Sequence, residues 1–216
     1  SVIIPGGSRL EDLQLTEAAR DNGIIDRIIL VGKKDQVHSA VEESGMDIAS
    51  QDIVAVESDE AVAQTTVAQI SKGAADIVLK GDISTPILNR ALLPLAKRST
   101  VSLVSIFDAA PIAKGRPLIL TDAGFTTVCN IGRLTDLINN AIDVAKVVMD
   151  ITRPRVAILS ANEKQIPSLP STWMGLELAQ RSWQDAVVCG PLSFDLATSR
   201  KSVAVKGMPD LPGARE

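Results

Sequence analysis

The sequence predicts an α/β fold on parallel strands, and three observations predict it. Short apolar runs alternate four times with helix-length segments over residues 1–98, the pattern of strands joined by crossover helices. The runs stop at Gly or polar turn residues, and helix starts follow them. Apolar residues make up 45% of the 216-residue chain, aromatics 2%, and Tyr is absent. The core is therefore aliphatic, and it is large enough to exclude a disordered chain.

Residues 2–4 read as the first strand, with Pro5-Gly6-Gly7-Ser8 as its turn. A helix over 10–21 follows, with Leu13, Ala18 and Ala19 inward and Gly23 as C-cap. Residues 27–31 are the second strand, broken by Gly32, and a helix over 35–43 stops at Gly45. Residues 53–56 are the third strand; Asp59 caps a helix that runs to Lys72 and stops at Gly73. Residues 77–79 are the fourth strand. The helix after it spans 86–97, with Ser84 or Thr85 as N-cap and Pro86 as the first helical residue.

The pattern changes near Arg98-Ser99-Thr100, which divides a first domain (1–98) from a second (99–205). Residues 101–107 and 117–120 are apolar and joined by a connector without a helix-length pattern, so they form a hairpin. Asp122-Ala123-Gly124 opens a loop. Over 134–149, Leu134, Leu137, Ile138, Ala141, Ile142, Ala145 and Val148 share one helical stripe. Residues 156–159 are a strand ending in Ser160-Ala161-Asn162-Glu163. A Pro- and Ser-rich loop then leads to a helix reaching Trp183. Residues 186–188 are a strand ending in Cys189-Gly190-Pro191, and residues 194–205 are the last helix. The tail, 206–216, is rich in Pro and Gly and reads as a linker.

Composition excludes several functions. The net charge is −4 and no basic block exists, which argues against nucleic acid and anionic membranes as partners. Few aromatics leave few platforms for stacking bases. Cys129 and Cys189 are far apart and belong to no metal-spacing motif, so neither a metal site nor a disulfide framework is expected, and a reduced, cytoplasmic setting fits. No run reaches transmembrane length, and the start is too short for a signal peptide. The single histidine, His38, sits in a polar helix pattern, so no Ser–His–Asp or Cys–His set can be assembled.

The stretch from Ala75 to Leu93 concentrates the polar chemistry. Lys80-Gly81-Asp82 ends a strand, Ser84 and Thr85 open a helix, and Arg90 follows one turn later. A cation, a flexible backbone, two hydroxyls and helix N–H groups in one turn suit an anionic ligand. Each residue also has a plainer reading. Ser84 and Thr85 serve as caps, Arg90 as a surface charge, Asp122 as a loop cap, and Glu163 and Asp195 as helix starts. Gly6-Gly7-Ser8 matches neither a dinucleotide fingerprint nor a P-loop and reads as a plain βα turn.

Six segments, taken in order, resemble the phosphate acetyl/butyryltransferase family. They are Ala75 to Leu93, Arg116-Pro117-Leu118-Ile119-Leu120-Thr121-Asp122-Ala123, Asp136-Leu137-Ile138-Asn139-Asn140-Ala141, Arg155-Val156-Ala157-Ile158-Leu159-Ser160-Ala161-Asn162-Glu163, Leu169-Pro170-Ser171-Thr172 and Gly190-Pro191-Leu192-Ser193-Phe194-Asp195. Jointly they span nearly the whole chain, and their wording is closer to the butyryl branch. The resemblance implies two three-layer α/β domains with a cleft between them, like the isocitrate and isopropylmalate dehydrogenases. It implies the reaction acyl-CoA + phosphate to acyl phosphate + CoA, by direct attack of the CoA thiol. An aspartate acts as base there, and a Ser–Arg pair steadies the oxyanion.

The resemblance further implies substrate binding by Lys80, Gly81, Asp82, Ser84, Thr85, Arg90, Asp122, Ser160, Glu163, Ser171 and Asp195. Coenzyme A is expected as a substrate, with no tightly bound cofactor and no metal. The partners implied are CoA or acyl-CoA, phosphate or acyl phosphate, and further copies of the chain in a homodimer or larger homo-oligomer. Family members continue past the position of Lys206, so the catalytic Ser-Arg and Asp are expected beyond Glu216; Ser199-Arg200 does not match their position. Two alternatives stand beside this reading. One is a catalytically silent CoA/phosphate-binding homologue or fragment, the other an acyltransferase of the fatty-acid and phospholipid type that uses an acyl carrier protein.

Overall fold

A computed structural model describes residues 1–109, 112 and 115–208. The chain divides into two compact units, Ser1–Ala96 and Lys97–Glu216. The first contains β1 (Val2–Pro5), α1 (Leu10–Asp21), β2 (Ile28–Lys33), α2 (Lys34–Ser44), β3 (Ile53–Val56), α3 (Asp59–Ser71), β4 (Ile77–Val78) and α4 (Thr85–Leu92). Its sheet is parallel, in the order β3-β2-β1-β4.

Alternation along the strands sends side chains to two faces. On one face Val2, Ile4, Ile28 and Leu30 pack with Leu13 of α1 and Val37 and Ala40 of α2. On the other, Ile3, Ile29 and Val31 pack with Val62 and Ala63 of α3 and Leu88 of α4. Helices cover both faces because the connection from β3 crosses back over β1 to reach β4, which reverses the direction of winding.

The carboxyl ends of β1 and β4 meet backbone to backbone. Beyond β4 the chain keeps bonding to β1: Leu79 N–H donates to the Ile3 carbonyl (3.0 Å), Gly81 N–H to Pro5 (3.0 Å) and Asp82 N–H to Gly6 (2.7 Å). A Cβ at Gly6, where φ is +72°, would collide with the Asp82 backbone, and one at Gly81 would collide with the Gly6 carbonyl.

Several boundaries differ from the sequence reading. Gly32 does not break β2; it stays in the ladder opposite Ala55. Ser58, not Asp59, is the N-cap of α3, its Oγ accepting from the Ala61 N–H at 3.1 Å. α4 stops at Leu92, and a 3-10 turn covers Leu93–Leu95, because Pro94 has no N–H to continue the helix. The inner positions of α1 are Asp12, Leu13 and Thr16 rather than Ala18, which is exposed. Thr16 fits there because its hydroxyl donates to the Asp12 carbonyl at 2.8 Å.

The second unit contains β5 (Val104–Asp108), β6 (Pro117–Thr121), α5 (Ile131–Met149), β7 (Arg155–Leu159), α6 (Pro170–Gln180), β8 (Val187–Leu192), α7 (Phe194–Thr198) and α8 (Arg200–Val205). β5 and β6 form the antiparallel hairpin, and β7 and β8 pair in parallel. Ile138 and Ile142 of α5, Leu178 of α6, Ala186 and Val188 share a core. Val148, expected on the stripe, is exposed. β8 continues through Cys189-Gly190-Pro191 to Leu192. The last helix is two helices, because Ser199 is extended and caps the second through the Ser202 N–H at 3.2 Å. Of the tail read as a linker, residues 209–216 lie outside the described residues, as do 110, 111, 113 and 114 of the hairpin connector.

Residues 98–102 form no strand; side chains of α5 engage them instead. Arg98 Nη1 donates to Asn140 Oδ1 and Asp143 Oδ2, each at 2.8 Å. The Ser99 hydroxyl (2.8 Å) and Thr100 N–H (3.0 Å) donate to Asp136. Asn140 Nδ2 donates to the Thr100 carbonyl and Ser102 Oγ, both at 3.0 Å.

Two predictions follow from this packing. Gly81→Ala should lower stability by about 1–3 kcal/mol, the usual cost of overpacking, read as a reduced urea midpoint. The Ser99 hydroxyl holds Asp136 below the usual carboxylate range, and the Arg98 guanidinium does so for Asp143, each against partial burial. A lowered folded-state pKa stabilises above the unfolded value, about 3.9 for Asp, and that contribution is lost as pH falls through the folded value. Thermal midpoints should therefore drop below about pH 4, and Asp136→Asn should flatten that drop in a circular-dichroism pH series.

Candidate functional site

In the first unit the winding reverses between β1 and β4. Open α/β sheets bind ligands in the crevice outside the strand carboxyl ends at such a switch point. Lys80, Gly81, Asp82, Ser84 and Thr85 all lie in the segment that leaves β4 there. The Lys80 side chain is partly buried, and its ammonium donates to the Gly81 carbonyl at 3.2 Å. Ser84 holds the N-cap position of α4, yet its hydroxyl makes no capping bond. Thr85 is the first helical residue and Pro86 the second. No acidic side chain stands in the first turn of α4, so its N–H donors are not neutralised from within.

The turn after β1 faces the same crevice, which the sequence reading did not credit. Arg9 Nε and Nη2 donate to Asp12 at 2.7 and 3.0 Å, and Nη2 also reaches the Lys80 carbonyl at 3.3 Å. Arg9 and Lys80 are 71 positions apart. Only the strand order brings them together; the one local signal is the Gly6-Gly7-Ser8 turn, which by its pattern reads as a plain βα turn. Arg90 sits in the last turn of α4 and is exposed. It lies five positions after Thr85, about 7.5 Å along the axis, and no side chain among the described residues pairs with it.

In the second unit, Ser160, Glu163, Ser171 and Asp195 come from the carboxyl ends of β7 and β8 and the helix starts beyond them. Ser160 Oγ and Ser171 Oγ are 2.8 Å apart, which ties the end of β7 to the first turn of α6. Glu163 is partly buried in the loop after β7. The Asp195 carboxylate is bonded by the Ser193 hydroxyl and by Lys206, whose ammonium lies 3.1 Å away. Together they hold it below the usual carboxylate range. Lys206 was absent from the sequence-derived set.

Asp122 is engaged as a loop cap. Its carboxylate accepts from the N–H groups of Gly124 (3.0 Å), Phe125 (2.8 Å) and Thr126 (3.2 Å). Burial pushes its pKa up, but these bonds outweigh burial and leave the group below the usual range. Among the described residues no group of His, Cys, Asp and Glu is placed to hold a metal ion, and no helix is long and apolar enough to cross a membrane. His38 is exposed, and both cysteines are free. Cations, hydroxyls and backbone donors dominate the first-unit group, and they suit an oxygen-rich anion.

Comparison with known proteins follows the same lines. A family model described as phosphate acetyl/butaryl transferase matches residues 62–214. Phosphate butyryltransferase of Clostridium acetobutylicum is 34% identical over 209 residues, covering 92% of this chain and 68% of that protein. The Clostridium beijerinckii phosphate butyryltransferase is 30% identical over 204 residues, covering 91% of this chain and 66% of its own. The chain thus spans about two thirds of the length of these curated relatives. Among solved structures, a branched-chain phosphotransacylase from Enterococcus faecalis V583 superposes with a TM-score of 0.74 at 29% identity, covering 95% of this chain and 73% of that one. With the family model matching most of its length, this chain belongs to the phosphate acetyl/butyryltransferase family.

Proposed function

We propose that this chain takes part in phosphate acyl transfer, acyl-CoA + phosphate to acyl phosphate + CoA, with a short acyl group such as acetyl or butyryl. One observation carries the reading: the Lys80–Thr85 segment of a family member stands at the switch point of a parallel sheet, with a cation, two hydroxyls and uncapped helix donors together. Lys80, Ser84 and Thr85 bind the phosphate or the CoA phosphates by hydrogen bonds and charge, and Gly81 lets the backbone approach. Arg90 adds a fork donor from the same helix.

In the second unit Ser160 and Ser171 offer hydroxyls to the substrate, Glu163 and Asp195 contribute from the segments that follow β7 and β8, and Asp122 shapes its loop. Asp82 completes the first-unit group. Coenzyme A enters as a substrate, not as a resident cofactor. A homo-oligomeric, cytoplasmic enzyme with the isocitrate and isopropylmalate dehydrogenase type of architecture is part of the same proposal.

The test is CoA release and acyl phosphate formation from acetyl-CoA and butyryl-CoA with inorganic phosphate. Lys80→Ala should lower kcat/KM by about 10- to 100-fold, the effect of losing a hydrogen bond to a charged group. Arg90→Ala should raise the KM for phosphate or CoA. Wild-type turnover with both variants unaffected would remove this turn from the site. Calorimetric CoA binding without turnover would favour the silent homologue.

A further inference from the structure

We propose that Arg9 is a second phosphate-binding cation of the Lys80 turn, held in position by Asp12. The identity of the ligand rests on the acyltransferase reading above. Asp12 is 8% exposed, whereas the Arg9 side chain is 48% exposed. A buried carboxylate thus grips an outward guanidinium through two parallel bonds, at 2.7 and 3.0 Å. Such a fork fixes the plane of the arginine and removes rotamer freedom before a ligand arrives.

Arginine carries five N–H donors. Nε and Nη2 meet Asp12, and the other Nη2 hydrogen meets the Lys80 carbonyl at 3.3 Å. Both hydrogens on Nη1 lack a partner among the described residues. The carbonyl that Arg9 binds belongs to the residue whose ammonium is the other cation of the turn. Both cations are therefore mounted on the Gly6–Gly81 junction, where neither glycine has room for a Cβ. A phosphate monoester or pyrophosphate presents several oxygens to such a pair of donors.

The competing role for Arg9 is neutralisation of Asp12 alone, and a double substitution separates the two. The 216-residue chain is titrated calorimetrically with coenzyme A, 3′-dephospho-coenzyme A and inorganic phosphate, as wild type, Arg9→Gln, Asp12→Asn and the double variant. Arg9→Gln should weaken coenzyme A binding by about tenfold. The double variant should recover thermal stability, since no buried charge is left unpaired, yet bind as weakly as Arg9→Gln. A loss confined to coenzyme A assigns Arg9 to the 3′-phosphate; a loss shared by dephospho-coenzyme A or inorganic phosphate assigns it to the pyrophosphate or the transferred phosphate. Affinity that returns in the double variant along with stability would overturn the proposal. So would unchanged affinity in Arg9→Gln, which leaves the acyltransferase reading intact; a wild-type chain that binds none of the three overturns both.

Discussion

Gly6 and Gly81 approach so closely that the turn after β4 is an extension of the β1 ladder rather than a free loop. Parallel bonding runs past the last strand residues, from Leu79 to Asp82. A side chain at either glycine would separate the two turns. The position of Lys80, the entry angle of α4 and the reach of Arg9 to the Lys80 carbonyl all depend on that contact. A turn built this way is rigid at its base, and rigidity lowers the entropy that a turn loses when it binds.

The two groups of polar residues differ in electrostatics. In the second unit, Asp195 meets Lys206 and Ser193, and Ser160 meets Ser171, so partners within the unit answer most of the polarity. In the first unit, the Ser84 hydroxyl makes no capping bond, and the first turn of α4 carries no acid. The first unit thus presents donors without internal partners, whereas internal bonds fix the orientation of the polar groups in the second. Asp122 belongs to the second kind, bound by three successive backbone N–H groups of its turn.

The architecture of the first unit was largely legible, because alternating apolar runs and Gly stops are local signals of strands and crossover helices. β1, β3 and α1 stand close to their expected bounds for that reason. The misreadings were also local. Pro94 was passed over as a helix stop, Gly32 was over-read as a strand break, and the extended Ser199 that divides α7 from α8 has no strong sequence mark. The strand read over 101–107 begins only at Val104, and Asp136, Asn140 and Asp143 of α5 take the polar groups of the segment before it.

For the site, the sequence alone determined the chemistry available: one lysine turn, two hydroxyls and a helix start, with a single histidine in a polar helix segment. It also determined, through motif order, the resemblance to a family of acyltransferases. Tertiary structure decided which turns stand together. Strand order follows from the crossing of the β3–β4 connection over β1, and that crossing is a long-range event with no local signature. It placed Arg9 beside Lys80, 71 positions apart in the chain, and set the opening Gly-Gly turn, plain by its spacing, against the turn that carries Lys80.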